Sequence, residues 1–287
     1  MPLSTLASLT GLGTDHAVIE TAVAVGKGVG GHITFLHARI DPVETAVLIE
    51  TTFPQYQDSR NVLHKISAEQ RDRSGHAKAE FDLAVTRHGL QQRDQPGGDA
   101  PLSVSWRETR SFFNETLHEA RFHDLTIMGR DRELSSDRLS TVLMQSGRPL
   151  LLAPQKPPAV IGRHIAIAWK DSAEAARAVS AGMPLLAQAE RISILSVSQN
   201  RAGDDNDRLS ADKLAHALRW RGLQAEVVME YVRSADEAHN IVNLACGRDA
   251  DMLFMGAYGH SRFREAILGG VTREIISDCA LPVFMFH

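Results

Sequence analysis

Short apolar runs alternate with longer amphipathic segments along the whole chain. The first series of apolar runs is STLASLT from Ser4, ITFLHA from Ile33, LSVSW from Leu102, HDLTIMG ending at Gly129 and RPLLLAP from Arg148. A second series follows with RHIAIAW from Arg163, ISILSV from Ile192, AEVVMEY from Ala225, ADMLFMG ending at Gly256 and LPVFMFH from Leu281. Each run is short and suits a pleated, half-buried surface, so each predicts a strand. The segments between them carry helical periodicity. Strands alternating with helices predict parallel sheets covered by helices on both faces.

The chain also repeats itself. STLASLTGLGTDHAVIETAVAVGKGVGGHITFLHA from Ser4 aligns without a gap on RHIAIAWKDSAEAARAVSAGMPLLAQAERISILSV from Arg163, which sets Gly11 opposite Lys170. Further on, RHGL at 87–90 matches WRGL at 220–223, each closing a helix before a strand. Both halves therefore read β-α-β-α-β-α-β-α-β. The predicted organisation is a first domain over 1–154, the proline-bearing linker QKPPAVIGR over 155–163, and a second domain over 164–287. The first half has a long polar second helix, about Asn61 to His88, preceded by the segment DPVETAVLIETTFPQ; its counterpart, Leu209 to Arg221, is about half as long. Ser234 to Glu237 reads as a capping box opening a later helix. The fold expected is α/β, two tandem open parallel five-stranded sheets flanked by helices. The apolar terminal strands, PLLLAP and PVFMFH, would be hazardous as open edges, so they are expected to pair with each other in an intramolecular pseudo-dimer.

Composition narrows the function classes. At 287 residues the chain suits two domains, and its 43% apolar and 23% charged residues are those of an ordinary globular protein. A net charge of −4 supplies no basic field for nucleic acid or acidic lipid. No apolar run reaches the roughly eighteen residues of a membrane span, and the N-terminus lacks the pattern of a signal peptide. Cys246 and Cys279 have no metal or redox spacing. A reducing cytoplasm is the expected compartment, with neither nucleic acid nor membrane as a partner.

Several formal motifs fail on context. Gly26-Lys-Gly-Val-Gly-Gly31 follows a helix and precedes a strand, the reverse of a dinucleotide loop, and reads as a helix C-cap and turn. His118 and His123 resemble a zincin pair but are one residue too far apart to face one metal from a helix. The chain has no GxSxG elbow and no Walker loop. None of these spacings predicts a metal site of the protein's own.

GAYGHSRFREAILGG, Gly256 to Gly270, is different because it leaves a strand and leads into a helix. Gly256 and Gly259 would let backbone amides approach an anion, and Gly269 and Gly270 would place free amides at a helix start. His260, Ser261 and Thr272 add side-chain donors. Gly256-x2-Gly259-x9-Gly269 before a helix, followed by a proline-led last strand, resembles the universal stress protein family, and the duplicated halves look like its tandem members. The resemblance covers nearly the whole chain. It implies a five-stranded, Rossmann-like fold of the adenine nucleotide alpha hydrolase-like superfamily, with a stress-responsive or signalling role. It also implies ATP bound with adenine near the end of a half's first strand and phosphates along the glycine loop; in the second half the base-side positions are Ala168, Trp169 and Lys170.

The pattern is not fully kept. Lys170 stands where the resemblance places an adenine-binding Asp, and an ammonium offers no acceptor to an adenine amino group. Lys170 reads equally as a solvated strand-end lysine or as a contact for an anionic ligand other than ATP. Gly270 takes the place of the loop's closing Ser or Thr. In the first half, Gly129 to Pro149 spans 20 positions against 26 for Gly256 to Pro282, so six residues are missing. Arg132 takes the second glycine's place, and Arg130, Arg132 and Arg138 read as a solvated or interface face.

The resulting expectation is a non-enzymatic stress-response or regulatory protein, with one site for ATP or another phosphate-bearing ligand in its second half. The alternative is a nucleotide-independent interaction or ligand-binding module whose 41–100 segment meets a partner. Homodimerisation through the remaining surface is compatible with both.

Overall fold

The computed structural model describes residues 2–39, 59–95, 97, 101–110, 115–130, 136–156, 160–198, 204–231, 237–257, 272, 275, 276 and 279–287. The N-terminal half runs β1 (Leu3–Leu9), α1 (Asp15–Val29), β2 (Gly31–Arg39), α2 (Ser59–His88), β3 (Gln91–Gln92), β4 (Leu102–Arg110), α3 (Glu115–Ala120), β5 (Leu125–Met128), α4 (Ser136–Gln145) and β6 (Leu150–Leu152). The C-terminal half runs β7 (His164–Ala168), α5 (Ala173–Ala181), α6 (Met183–Leu186), β8 (Arg191–Ser198), α7 (Asp204–Arg219), β9 (Glu226–Tyr231), α8 (Glu237–Cys246), β10 (Met252–Gly256) and β11 (Val283–Phe286). Thr272, Ile275 and Ile276 are helical. Each apolar run read from the sequence holds one of these strands. The two-residue β3 is an addition on the outer edge of β4.

The single helix expected after β7 is divided into α5 and α6. Gly182 caps α5 through its N–H to the Ala178 carbonyl at 2.9 Å, and Pro184 opens α6, where a missing N–H loses no intrahelical bond. The capping residues Ser234 to Asp236 lie outside the described residues.

The halves do not keep separate sheets. All strands lie in one 11-stranded sheet of order β3-β4-β2-β1-β5-β6-β11-β10-β7-β8-β9. Every pairing is parallel except β6 with β11, which is antiparallel and joins the halves edge to edge, as the terminal strands predict. Helices cover both faces. One face packs Val18, Ile19, Phe35, Phe81, Leu186 and Phe284 in one cluster; the other packs Leu36, Leu117, Val142, Ile241, Ile275 and Met285. Each cluster takes residues from both halves, so burial crosses the seam on both sides of the sheet.

The strand register corrects the gap-free alignment of the repeats. Thr5 pairs with Leu125 and Ile165 with Met252, which makes Ile165, not His164, the counterpart of Thr5. Burial agrees, because Ala7 and Ile167 share one core face while Leu6 and Ala166 share the other. Thr5 also pairs with Ile33 and Ile165 with Ile192, so the alignment is right for the second strands. The N-terminal half therefore has one extra residue between its first two strands. A one-residue slip would turn the whole strand over, which two buried faces forbid. Lys170 thus matches Thr10 rather than Gly11, and Trp169 matches Leu9.

The glycine run after α1 is a turn. The Gly30 N–H closes onto the Gly26 carbonyl at 2.8 Å, and Gly30 has φ +73° and ψ 177°, a positive-φ conformation that glycine adopts without strain.

Candidate functional site

In a parallel sheet the ligand crevice opens at the carboxyl ends of the strands, where the strand order reverses. That point falls between β7 and β10 in the C-terminal half and between β1 and β5 in the N-terminal half. Because β6 and β11 are antiparallel, the two crevices open at opposite ends of the sheet.

In the C-terminal half, Ala168 ends β7 beside Met255, which brings Ala168, Trp169 and Lys170 next to Gly256. Trp169 is fixed by its own polar groups. Its backbone N–H donates to Leu195 at 2.8 Å and its indole Nε1 to the Ser210 hydroxyl of α7 at 3.0 Å. Lys170 and Asp171 are exposed at the turn. Ser172 then starts α5, its hydroxyl accepting from the Ala175 N–H at 3.2 Å. Gly256 sits against that helix start. A Cβ on it would lie 2.5 Å from the Ala175 nitrogen and 2.8 Å from the Glu174 carbonyl carbon. The missing side chain thus lets β10 deliver the chain directly over the N-terminal turn of α5. Thr272 is 4% exposed. Gly259, His260, Ser261, Gly269 and Gly270 lie outside the described residues.

The N-terminal crevice is built differently. Asp15, the first residue of α1, is 2% exposed, and its carboxylate accepts from the Thr10 N–H at 2.8 Å, the Thr10 hydroxyl at 3.1 Å and the Gly11 N–H at 2.8 Å. Gly11 has φ +74°, and a Cβ there would stand 2.3 Å from the Arg73 carbonyl oxygen and 2.5 Å from the Arg73 Cβ of α2. On the other side of β1, Arg138 donates to the Thr116 hydroxyl at 2.7 Å and lies 3.5 Å from the Ser8 hydroxyl. Arg130, directly after Gly129, donates to the carbonyls of Cys279 and Leu281 in the C-terminal half. These two arginines therefore serve internal and inter-half contacts; Arg132 lies outside the described residues. The sequence reading missed Asp15 and the part played by α2. The Thr14-Asp15 pair after a glycine-bearing turn was the available signal for a helix start, although nothing local says which amides its carboxylate would take.

Two histidines that resemble a metal pair have separate duties. His123 is buried between the Glu119 carbonyl at 2.8 Å and the Thr34 hydroxyl at 3.3 Å. His118 is exposed and meets the Phe122 ring edge-on. Among the described residues no group of three or more His, Cys, Asp or Glu side chains is placed to hold a metal. No described helix is long and apolar enough to cross a membrane.

Two α/β repeats on one continuous sheet, each with a switch-point crevice, define a tandem doubly wound α/β fold. Residues 162–287 match the model of the Universal stress protein family. A universal stress protein from Synechocystis is 25% identical over 226 residues, covering 74% of this chain and 73% of that protein. A solved universal stress protein from Archaeoglobus fulgidus superposes with a TM-score of 0.68 at 17% identity, covering 98% of this chain and 97% of that one. Another, from Pseudomonas aeruginosa, gives 0.59 at 13% identity over 99% and 92% of the two chains. At these identities the two structures speak to fold. The C-terminal half thus matches the universal stress protein family's domain directly, and the whole chain shares the fold of these solved universal stress proteins.

Proposed function

We propose that the protein is a cytoplasmic stress-response or regulatory protein that binds a phosphate-bearing ligand, ATP with its Mg foremost, in the C-terminal half and does not turn it over. The observation that carries this reading is the contrast between the two crevices. In the N-terminal half the turn amides are held by Asp15, and Arg130 at the strand exit is engaged by carbonyls of the other half. In the C-terminal half α5 is capped by the Ser172 hydroxyl rather than by a buried carboxylate, and Gly256 leads the chain over the N-terminus of α5. A helix start and free amides favour an anion. In this reading the phosphates rest on the amides of Gly256, Gly259, Gly269 and Gly270, with His260, Ser261 and Thr272 as neighbouring donors. Trp169 and Lys170 face the other end of the ligand.

Because Lys170 cannot accept from an adenine amino group, phosphate contacts dominate over base contacts. ATP at millimolar concentration is expected to raise the melting temperature, since a ligand that binds only the folded state stabilises it. Tripolyphosphate is expected to do nearly as well. A melting curve unmoved by both would remove this reading.

A further inference from the structure

The N-terminal crevice is filled from inside the protein. Its turn carries the amides that an anion would seek, and the buried carboxylate of Asp15 takes both of them, at 2.8 Å each. Above the same turn lies α2, whose main chain at Arg73 leaves no room for even a methyl group on Gly11. That contact belongs to a continuous covered stripe. Gln70 is 7% exposed, and Ala77 and Phe81 are fully buried at the following turns of the helix. The C-terminal half meets its turn differently: the Ser172 hydroxyl, not a carboxylate, caps α5, and the Trp169 indole donates to the Ser210 hydroxyl of α7. Helix α7 is 16 residues long against 30 for α2.

We propose that Asp15 and helix α2 are built-in occupants of the N-terminal crevice, so that this half is held shut and the chain has a single ligand site. The aspartate stands in for the ligand's anion, and α2 stands where the ligand's body would lie. Duplication has thus given one half that can bind and one whose crevice serves packing. The inference rests on the reading of the C-terminal half only for the number of sites; the closure itself stands on the contacts of Gly11, Asp15 and Arg73.

Two measurements test it on the full chain. Hydrogen exchange read by mass spectrometry is expected to show residues 66–77 of α2 protected like β1. Gly11→Ala is expected to speed exchange over that segment by roughly tenfold or more, because it adds a clash to the left-handed strain. Gly89→Ala is the control, since Gly89 has φ +61° but open space around it, and should leave 66–77 protected. Fast exchange of 66–77 in the wild type, or equal effects of the two variants, would overturn the closure. Equilibrium dialysis with ATP is expected to find one nucleotide per chain, and two would overturn it as well. None bound would count against the C-terminal site alone, and the exchange result would still decide the closure.

Discussion

Leu151 and Phe284 stand opposite each other at the centre of the antiparallel seam between the halves, and both are buried to within 1%. The register is symmetric about them, with Leu150 facing Met285 and Leu152 facing Val283. Leu151 pairs with Ile127 in its own half and Phe284 with Phe254 in the other, so these two residues mark the pseudo-two-fold centre of the molecule. Phe284 also stacks on Phe254 with ring centroids 4.4 Å apart.

Phe284→Ala is therefore expected to cost about 3–5 kcal/mol through lost burial and an unfilled cavity. Urea denaturation followed by circular dichroism measures it. A loss below about 1 kcal/mol would mean that the seam is not part of the common core.

Arg130 ties the exit of β5 to the carbonyls of Cys279 and Leu281 just ahead of β11. Arg130→Ala leaves those carbonyls to find other donors, and about 1–3 kcal/mol of stability should be lost. Arg130→Lys should recover only part of it, because an ammonium lacks the planar fork that reaches two acceptors. Chemical denaturation of the three proteins side by side decides the point.

Gly256→Ala and Gly28→Ala should move stability in opposite directions. The first forces a methyl to within 2.5 Å of the Ala175 nitrogen and is expected to cost about 1–3 kcal/mol. Gly28 lies in α1 with nothing near its Cβ direction, so alanine there should stabilise by about 0.5–1 kcal/mol. Thermal melts of both variants give the comparison.

Glu20 joins α1 to α2 through His88 at 3.0 Å and Arg87 at 2.9 Å. Burial pushes its carboxyl up, but the hydrogen bond and charge of His88 and the hydrogen bond from Arg87 outweigh this and hold it below its ordinary value of 4.5. A depressed folded value means the stabilisation is present above the unfolded value and is lost as pH falls through the folded one. Glu20→Gln should cost about 0.5–1 kcal/mol at pH 7, a modest figure because Arg87 is half exposed. Its melting temperature should fall less steeply than that of the wild type as the pH is lowered past 4.5. Parallel slopes across that window would show that Glu20 is not a source of the acid sensitivity.

The alternation of apolar runs with helical segments was sufficient to place every long strand, because strand formation depends on which residues can be buried over a few positions. The repeat and the Gly256 to Gly270 spacing led to the family resemblance for the same reason, since both are linear patterns. Pairing of PLLLAP with PVFMFH was also legible, as two apolar edges with one evident way to be covered. The tertiary structure decided three matters that no local pattern carries. It moved the first strands of the repeats by one residue relative to each other, because facing partners on two buried sides admit only one register. It placed Arg73 of α2 on Gly11, a contact between residues 62 positions apart (73 − 11) that depends on how the helix lies across the sheet. It gave the carboxylate of Asp15 to the amides of Thr10 and Gly11, where the sequence shows only an acidic residue near a helix start. Sequence set what must be buried and where chains must turn; the packed sheet determined which of two similar crevices its own side chains would fill.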